Sequence, residues 1–386
     1  AMRLFCAVFC SLALMASSNV AFSAPSIIPK PPALAASSYI LLDANSGEVL
    51  VEHNADKALP MASLTKMMTS YIVTEELAYG NITEEEKTRI SVKAWKAPGS
   101  RMFIREGTYV AIGDLLKGVV IHSGNDASVA LAEHISGTED AFVDVMNQYA
   151  VQIGMVNTQF KNATGLPAKG HRSTARDLSK LAKHIIFDHA DYYPLYKEKK
   201  FKYGKMDAQP NRNLLLFWDS RVDGLKTGHT EEAGYCLVSS AVDKDMRLIS
   251  VVMGAKSERG RARESQKLLT YGFRYFESHL LYDAQETLQT TRVWLGQEEE
   301  LALGVKDGAY INIPRGQKGN LDVKYSIDDV IKAPVLKGME YGHMTVSLDG
   351  KLLMDRPLIA LTAVEEAGFV SRVWDYIKLF FVSLFS

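Results

Sequence analysis

Between Lys57 and Glu75 the only charge is Lys66, and the residues around it, from Pro60 to Thr74, are apolar or hydroxyl-bearing on every side of a helical repeat. A helix surrounded by core has this pattern, and Gly80-Asn81 supplies its stop. Upstream, residues 38–42 and 48–52 read as two short strands joined by the turn Asn45-Ser46-Gly47. Downstream the pattern is mostly helical. Thr83 and Glu86 have capping-box spacing, which predicts a helix start with Glu84-Glu85-Glu86 as its solvated first turn. Gly113-Asp114-Leu115-Leu116 opens another helix, residues 125–135 form a further one, and Ser173 or Thr174 caps one that reaches about Phe187. Ala97-Pro98-Gly99-Ser100 marks a loop.

Strand signals return after Gly224 at residues 226–229, 234–242 and 246–254, the last two joined by Asp243-Lys244-Asp245 as an antiparallel ribbon. A long helix over 258–278 follows. Strands flanking a helical block predict an α+β domain. Beyond Tyr282 short alternating segments at 293–295, 310–313, 323–325 and 344–348, punctuated by Gly and Pro, predict a small all-β domain. Residues 369–385 form an amphipathic helix with a wide apolar face, which Asp375 and Lys378 interrupt too early for a membrane span. Exposed Trp and Phe at the end of an exported chain predict an anchor lying in the membrane plane. The expected organisation is a signal peptide over 1–24, a proline-rich leader over 25–36, a catalytic domain over 37–281, a β-rich domain over 282–363 and an anchoring helix over 364–386.

The chain has 386 residues and 47% hydrophobic content, enough for a sizeable core. A net charge of -1 provides no basic footprint for nucleic acid. Arg3, an apolar run over 4–16 and small residues around Ala21-Phe22-Ser23-Ala24 read as a cleaved secretory signal, placing the protein outside the cytoplasm. Cys6 and Cys10 would leave with it, so Cys236, in an apolar strand, is expected as a small core residue without a disulfide partner. The nine histidines contain no H-E-x-x-H, and His184 and His189 lack a carboxylate partner motif, so a bound metal is not expected.

The candidate chemistry begins at Lys66. Desolvation favours the neutral amine of a buried lysine, and a neutral lysine is a base. Ser63 lies one turn earlier, near the positive end of the helix, an arrangement that describes an activated serine nucleophile. Two further short motifs follow in order: Ser123-Gly124-Asn125 before a helix and Lys226-Thr227-Gly228 on a strand. Each is weak alone. Together, and in this order, they are the S-x-x-K, S-x-N and K-T-G set of penicillin-interacting serine enzymes, with Gly124 where class A β-lactamases carry aspartate.

Residues 222–230, Val-Asp-Gly-Leu-Lys-Thr-Gly-His-Thr, with Ala233-Gly234-Tyr235 after them, resemble the D-alanyl-D-alanine carboxypeptidases, the low-molecular-mass penicillin-binding proteins of that type. The β-rich region and the tail extend the resemblance over nearly the whole mature chain. It implies a serine β-lactamase/transpeptidase-like domain that removes the terminal D-alanine of peptidoglycan pentapeptides through an acyl-enzyme, uses neither metal nor organic cofactor, is acylated by β-lactams, and works at the periplasmic face of the bacterial inner membrane. By residue type, Ser63 attacks the carbonyl and Lys66 takes its proton, with the like charge of Lys226 helping to keep Lys66 neutral. Ser123 relays a proton to the leaving amine. Asn125 holds a substrate carbonyl or the Lys66 amine, and the backbone amides of Ser63 and His229 form an oxyanion hole. Lys226 and Thr227 suit the substrate carboxylate, while Gly228 lets the peptide lie along the strand edge. Arg261 is the candidate for the terminal carboxylate, and Arg212 for a second site-lining arginine. The rival readings are a class A β-lactamase, which would normally lack the second domain and carry a deacylating glutamate, and a non-catalytic peptidoglycan-binding module. A Ser-His-Asp esterase fails because Ser123 follows His122 rather than the glycine of G-x-S-x-G.

Overall fold

The two strands read near the start of the chain form as Ser38–Asp43 and Val49–His53, paired antiparallel. They come from the computed structural model of the chain, which describes residues 27–385; the expected signal peptide, with Cys6 and Cys10, lies outside the described residues. Ser38–Asp43 also pairs with Met246–Ala255, so the beginning and end of this region share one sheet. Its five strands run in the order Val49–His53, Ser38–Asp43, Met246–Ala255, Gly234–Asp243, Val222–Thr230, which leaves the K-T-G strand at an edge. Both faces are covered. Ile40 and Leu42 join a core with Met67, Ile72, Leu131 and Leu178 from the helical block, whereas Tyr39 and Leu41 face Leu268, Leu269 and Phe273 of the helix Glu258–Tyr275. Side chains alternate between faces along a strand, so a sheet buried on both sides reads as a continuous apolar run.

The helix Lys66–Ala78 is buried on all sides through Glu75, as its sequence requires, and a 3-10 turn, Ala62–Thr65, precedes it. Ile112–Val120, Asn125–Ser136 and Ala175–Phe187, the last capped by the Thr174 hydroxyl, follow the expected pattern.

Thr83 and Glu86 do exchange capping-box hydrogen bonds, at 3.2 and 3.3 Å, yet no helix follows. The chain turns into the strand Lys87–Arg89, paired with Tyr109–Ala111. A reciprocal cap closes a turn as readily as it starts a helix; here the long-range strand partner decides. The helix Glu258–Tyr275 stops short of the expected Ser278, because Phe276–Tyr282 pairs with Ala309–Pro314 as the first strand of the β-rich region. His184 and His189 do hold carboxylates, those of Asp188 and Glu75.

The β-rich region also contains a six-stranded sheet around Leu301, Leu303, Met344, Val346 and Leu358. A buried hydrogen bond of 3.0 Å from Asn312 Nδ2 to Asp43 Oδ2 joins the region to the first sheet. The helix Phe369–Phe385 leaves Phe369, Trp374 and Phe380 more than half exposed. Among the described residues no helix is long and apolar enough to cross a membrane. Asp375, read from sequence as an interruption, accepts the Leu295 amide at 2.9 Å and ties this helix to the β-rich region.

Candidate active site

Ser63 sits in the 3-10 turn rather than in the α-helix, and this tighter winding eclipses residues three apart. Lys66 Nζ consequently lies 3.0 Å from Ser63 Oγ. Ala62 takes a φ of 48° to make the turn. Gly165 packs against it so closely that a Cβ there would stand 1.9 Å from the Ala62 carbonyl oxygen. Thr65, on the same turn, contacts His171 Nε2 at 2.6 Å and donates to the Ala62 carbonyl; His171 Nδ1 accepts the Lys161 amide, so Nε2 carries the proton. Burial pushes His171 down to about 4 and keeps it neutral.

Lys66 is fully buried and donates to the Thr164 carbonyl at 2.6 Å. Burial, then the Arg212 charge, lower its amine from the ordinary 10.5 to about 7, with Asp126 opposing. The sequence led to Lys226 as the helping charge; that repulsion is mutual, since Lys66 in turn presses on Lys226, and Arg212 adds to both. Lys226, also buried, is itself held well below the ordinary lysine range by burial and then by Lys66, Arg212 and Arg261.

Lys226 Nζ lies 3.0 Å from Ser123 Oγ and 2.9 Å from the Thr227 carbonyl. Asn125 does not hold Lys66. Its Nδ2 donates to the Pro98 carbonyl at 2.5 Å, and its buried Oδ1 finds no partner among the described residues. Gly228 is required by packing, since a Cβ there would come within 3.0 to 3.2 Å of Met61 O, Ser63 N and Leu64 N. The missing side chain thus brings the strand against the nucleophile's turn.

Ser63, Ser123, Thr227, Gly228 and His229 line one cleft of about 410 Å³ together with Arg212 and Arg261. Arg261 Nη1 donates to the Gly228 carbonyl at 3.1 Å, and Arg212 Nη1 donates to Ser100 Oγ at 2.7 Å. Lys66, Asn125 and Lys226 stand behind the cleft wall. All the residues singled out in the sequence are therefore brought together. Reading the sequence missed Thr164 and Gly165, Asp126, and the cleft residues Ser100, Tyr235 and Glu258. Thr164 acts through its carbonyl, which any residue possesses; the one signal in that segment is the turn-forming pair Asn162 and Gly165, which the sequence reading did not use.

A family model described as D-alanyl-D-alanine carboxypeptidase matches residues 26–257, and one described as the C-terminal domain of penicillin-binding protein 5 matches residues 276–366. The D-alanyl-D-alanine carboxypeptidase DacC of Escherichia coli (strain K12) is 45% identical over 370 residues, covering 94% of this chain and 92% of that protein. Penicillin binding protein 5 from Haemophilus influenzae has a crystal structure that matches with a TM-score of 0.84 at 42% identity, over 88% of this chain and 100% of that one. Penicillin binding protein 6B from Escherichia coli matches with a TM-score of 0.72 at 34% identity, over 89% and 99%. The resemblance carried by the three motifs therefore holds across both regions of the fold, and the chain belongs to the D-alanyl-D-alanine carboxypeptidase family.

Proposed function

We propose that the protein is a serine D-alanyl-D-alanine carboxypeptidase that removes the terminal D-alanine from peptidoglycan pentapeptides, with Ser63 as nucleophile. The observation that carries this reading is a fully buried amine, lowered to about 7, lying 3.0 Å from the only partly exposed hydroxyl of Ser63. Ser63 Oγ attacks the carbonyl of the penultimate D-alanine, and Lys66 takes its proton. The oxyanion forms beside the Ser63 and His229 amides. Breakdown expels D-alanine, whose amine takes a proton through Ser123; water then hydrolyses the ester and frees Ser63. Penicillins acylate the same hydroxyl.

Lys226 and Thr227 receive the substrate carboxylate, and the approach of that anion favours the charged form of the buried Lys226. Arg261 and Arg212 add positive potential to the cleft. Arg261 contributes through a guanidinium already fixed on Gly228, and Arg212 through one held at Ser100. Asn125 keeps Oδ1 available for a donor in the acylated state.

We further propose that the chain is exported by its first 24 residues and held at the periplasmic face of the inner membrane by its last helix, whose exposed Trp374, Phe380 and Phe381 suit an interfacial position. The test is to incubate purified protein with a D-Ala-D-Ala pentapeptide and weigh the products. Ser63→Ala is expected to release no D-alanine and to take up no fluorescent penicillin; turnover by that variant rejects Ser63 as the nucleophile.

A further inference from the structure

Beside the cleft, four backbone N–H groups converge on one carboxylate. Asp126 Oδ1 accepts from Met102 N at 3.0 Å and Ala127 N at 2.9 Å, and Oδ2 accepts from Phe103 N at 2.9 Å and Ile104 N at 3.2 Å. Asp126 is fully buried. Successive amides turned toward one anion form a concave nest, and Phe103 within it holds a φ of 66°. A bulky residue in that region is strained and persists only when its surroundings enforce it.

The segment held in this way faces the site. Its Pro98 carbonyl accepts the Asn125 side chain, its Ser100 carbonyl accepts the Asn125 amide at 2.7 Å, and its Ser100 hydroxyl receives Arg212. Across the junction, Ser123 takes a φ of 57°. A Cβ on Gly124 would lie 2.9 Å from Asp126 Oδ1 and 3.3 Å from Met102 N. The space that a middle side chain of S-x-N would fill is therefore occupied by the Asp126 carboxylate, which is why this triplet contains glycine.

We propose that Asp126 is a positioning residue for acylation, its carboxylate tying residues 98–104 to the Ser123-Gly124-Asn125 turn and so fixing Asn125 and Ser100 at the cleft. The proposal rests on Ser63 being the acylated residue. Besides its hydrogen bonds, Asp126 places a negative charge near Lys66, where it opposes burial and Arg212. Removing that charge shifts the ascending limb of acylation, where Lys66 loses its proton, to lower pH, whereas a loosened loop that admitted water around Lys66 would shift it to higher pH.

The experiment measures labelling by a fluorescent penicillin against pH for wild type, Asp126→Asn and Gly124→Ala, with thermal melting as the check on folding. Asp126→Asn is expected to melt cooperatively, to acylate at least about tenfold more slowly and to have its limb at lower pH. Gly124→Ala, which wedges the tie while keeping the Asp126 charge, is expected to slow acylation with the limb unmoved. The proposal is overturned if Asp126→Asn acylates at the wild-type rate or has its limb moved to higher pH. It is equally overturned if that variant's loss follows its unfolded fraction while Gly124→Ala acylates normally. Wild type that takes up no penicillin at Ser63 instead rejects the reading on which the proposal stands.

Discussion

Replacing Lys66 with methionine removes the amine while nearly preserving the volume of the side chain. Going from 10.5 to about 7 corresponds to about 5 kcal/mol between the charged and neutral forms. At pH 7 roughly half of the molecules hold the free base, against roughly one in 3,000 for an ordinary lysine. A positioned base contributes about 10²–10⁴ in rate, so Lys66→Met is expected to acylate slower by that factor and to lose the limb centred near pH 7. Stability moves the other way. The unfolded chain keeps this proton up to 10.5 and the folded one only to about 7, so wild-type stability rises with pH between these values. At pH 7 wild type thus bears about 4 kcal/mol of penalty that methionine lacks, partly offset by about 1–3 kcal/mol for leaving the Thr164 carbonyl unpaired. Denaturant titrations at pH 7 and 10 and penicillin labelling across pH read both effects. A limb near pH 7 that survives in Lys66→Met, or a wild-type limb near pH 10, shows that Lys66 is not the base.

His171, buried and lowered to about 4, disfavours protonation in the folded state; its contribution is complete above about 6.5 and is lost as pH falls toward 4. Wild type is expected to lose about 3 kcal/mol through this group over that interval, and His171→Gln to lack this part of the slope; identical slopes in urea titrations argue against it. Gly165→Ala drives a Cβ into the Ala62 carbonyl at a backbone angle that favours glycine, and is expected to lower stability by at least about 1 kcal/mol and to slow penicillin labelling, so unchanged labelling would separate Gly165 from the nucleophile's turn. Deleting residues 369–386 is expected to move the protein from membrane to soluble fractions while turnover of a small peptide persists; unaltered fractionation excludes the anchor.

Periodicity is local, so the residues themselves determined much of this molecule. The all-round burial of the Lys66 helix, the doubly covered ribbon over 234–254, the alternating strands after 282 and the amphipathic last helix each follow from which side chains must leave water. The order of three short motifs identified the chemistry, and each motif contributes to the cleft or to the wall behind it.

Tertiary structure decided what depends on groups distant in sequence. Whether the Thr83 cap would start a helix was set by the pairing of Lys87–Arg89 with Tyr109–Ala111. That Arg212 presses on both Lys66 and Lys226 is a matter of distance and screening, which spacing along a chain does not encode. Lys66 is held by the backbone carbonyl of Thr164 and Asp126 by backbone amides, and no sequence pattern marks a group that every residue carries. A lysine becomes a base only when folding surrounds it with carbonyl and core, and that environment is built from segments roughly a hundred residues apart.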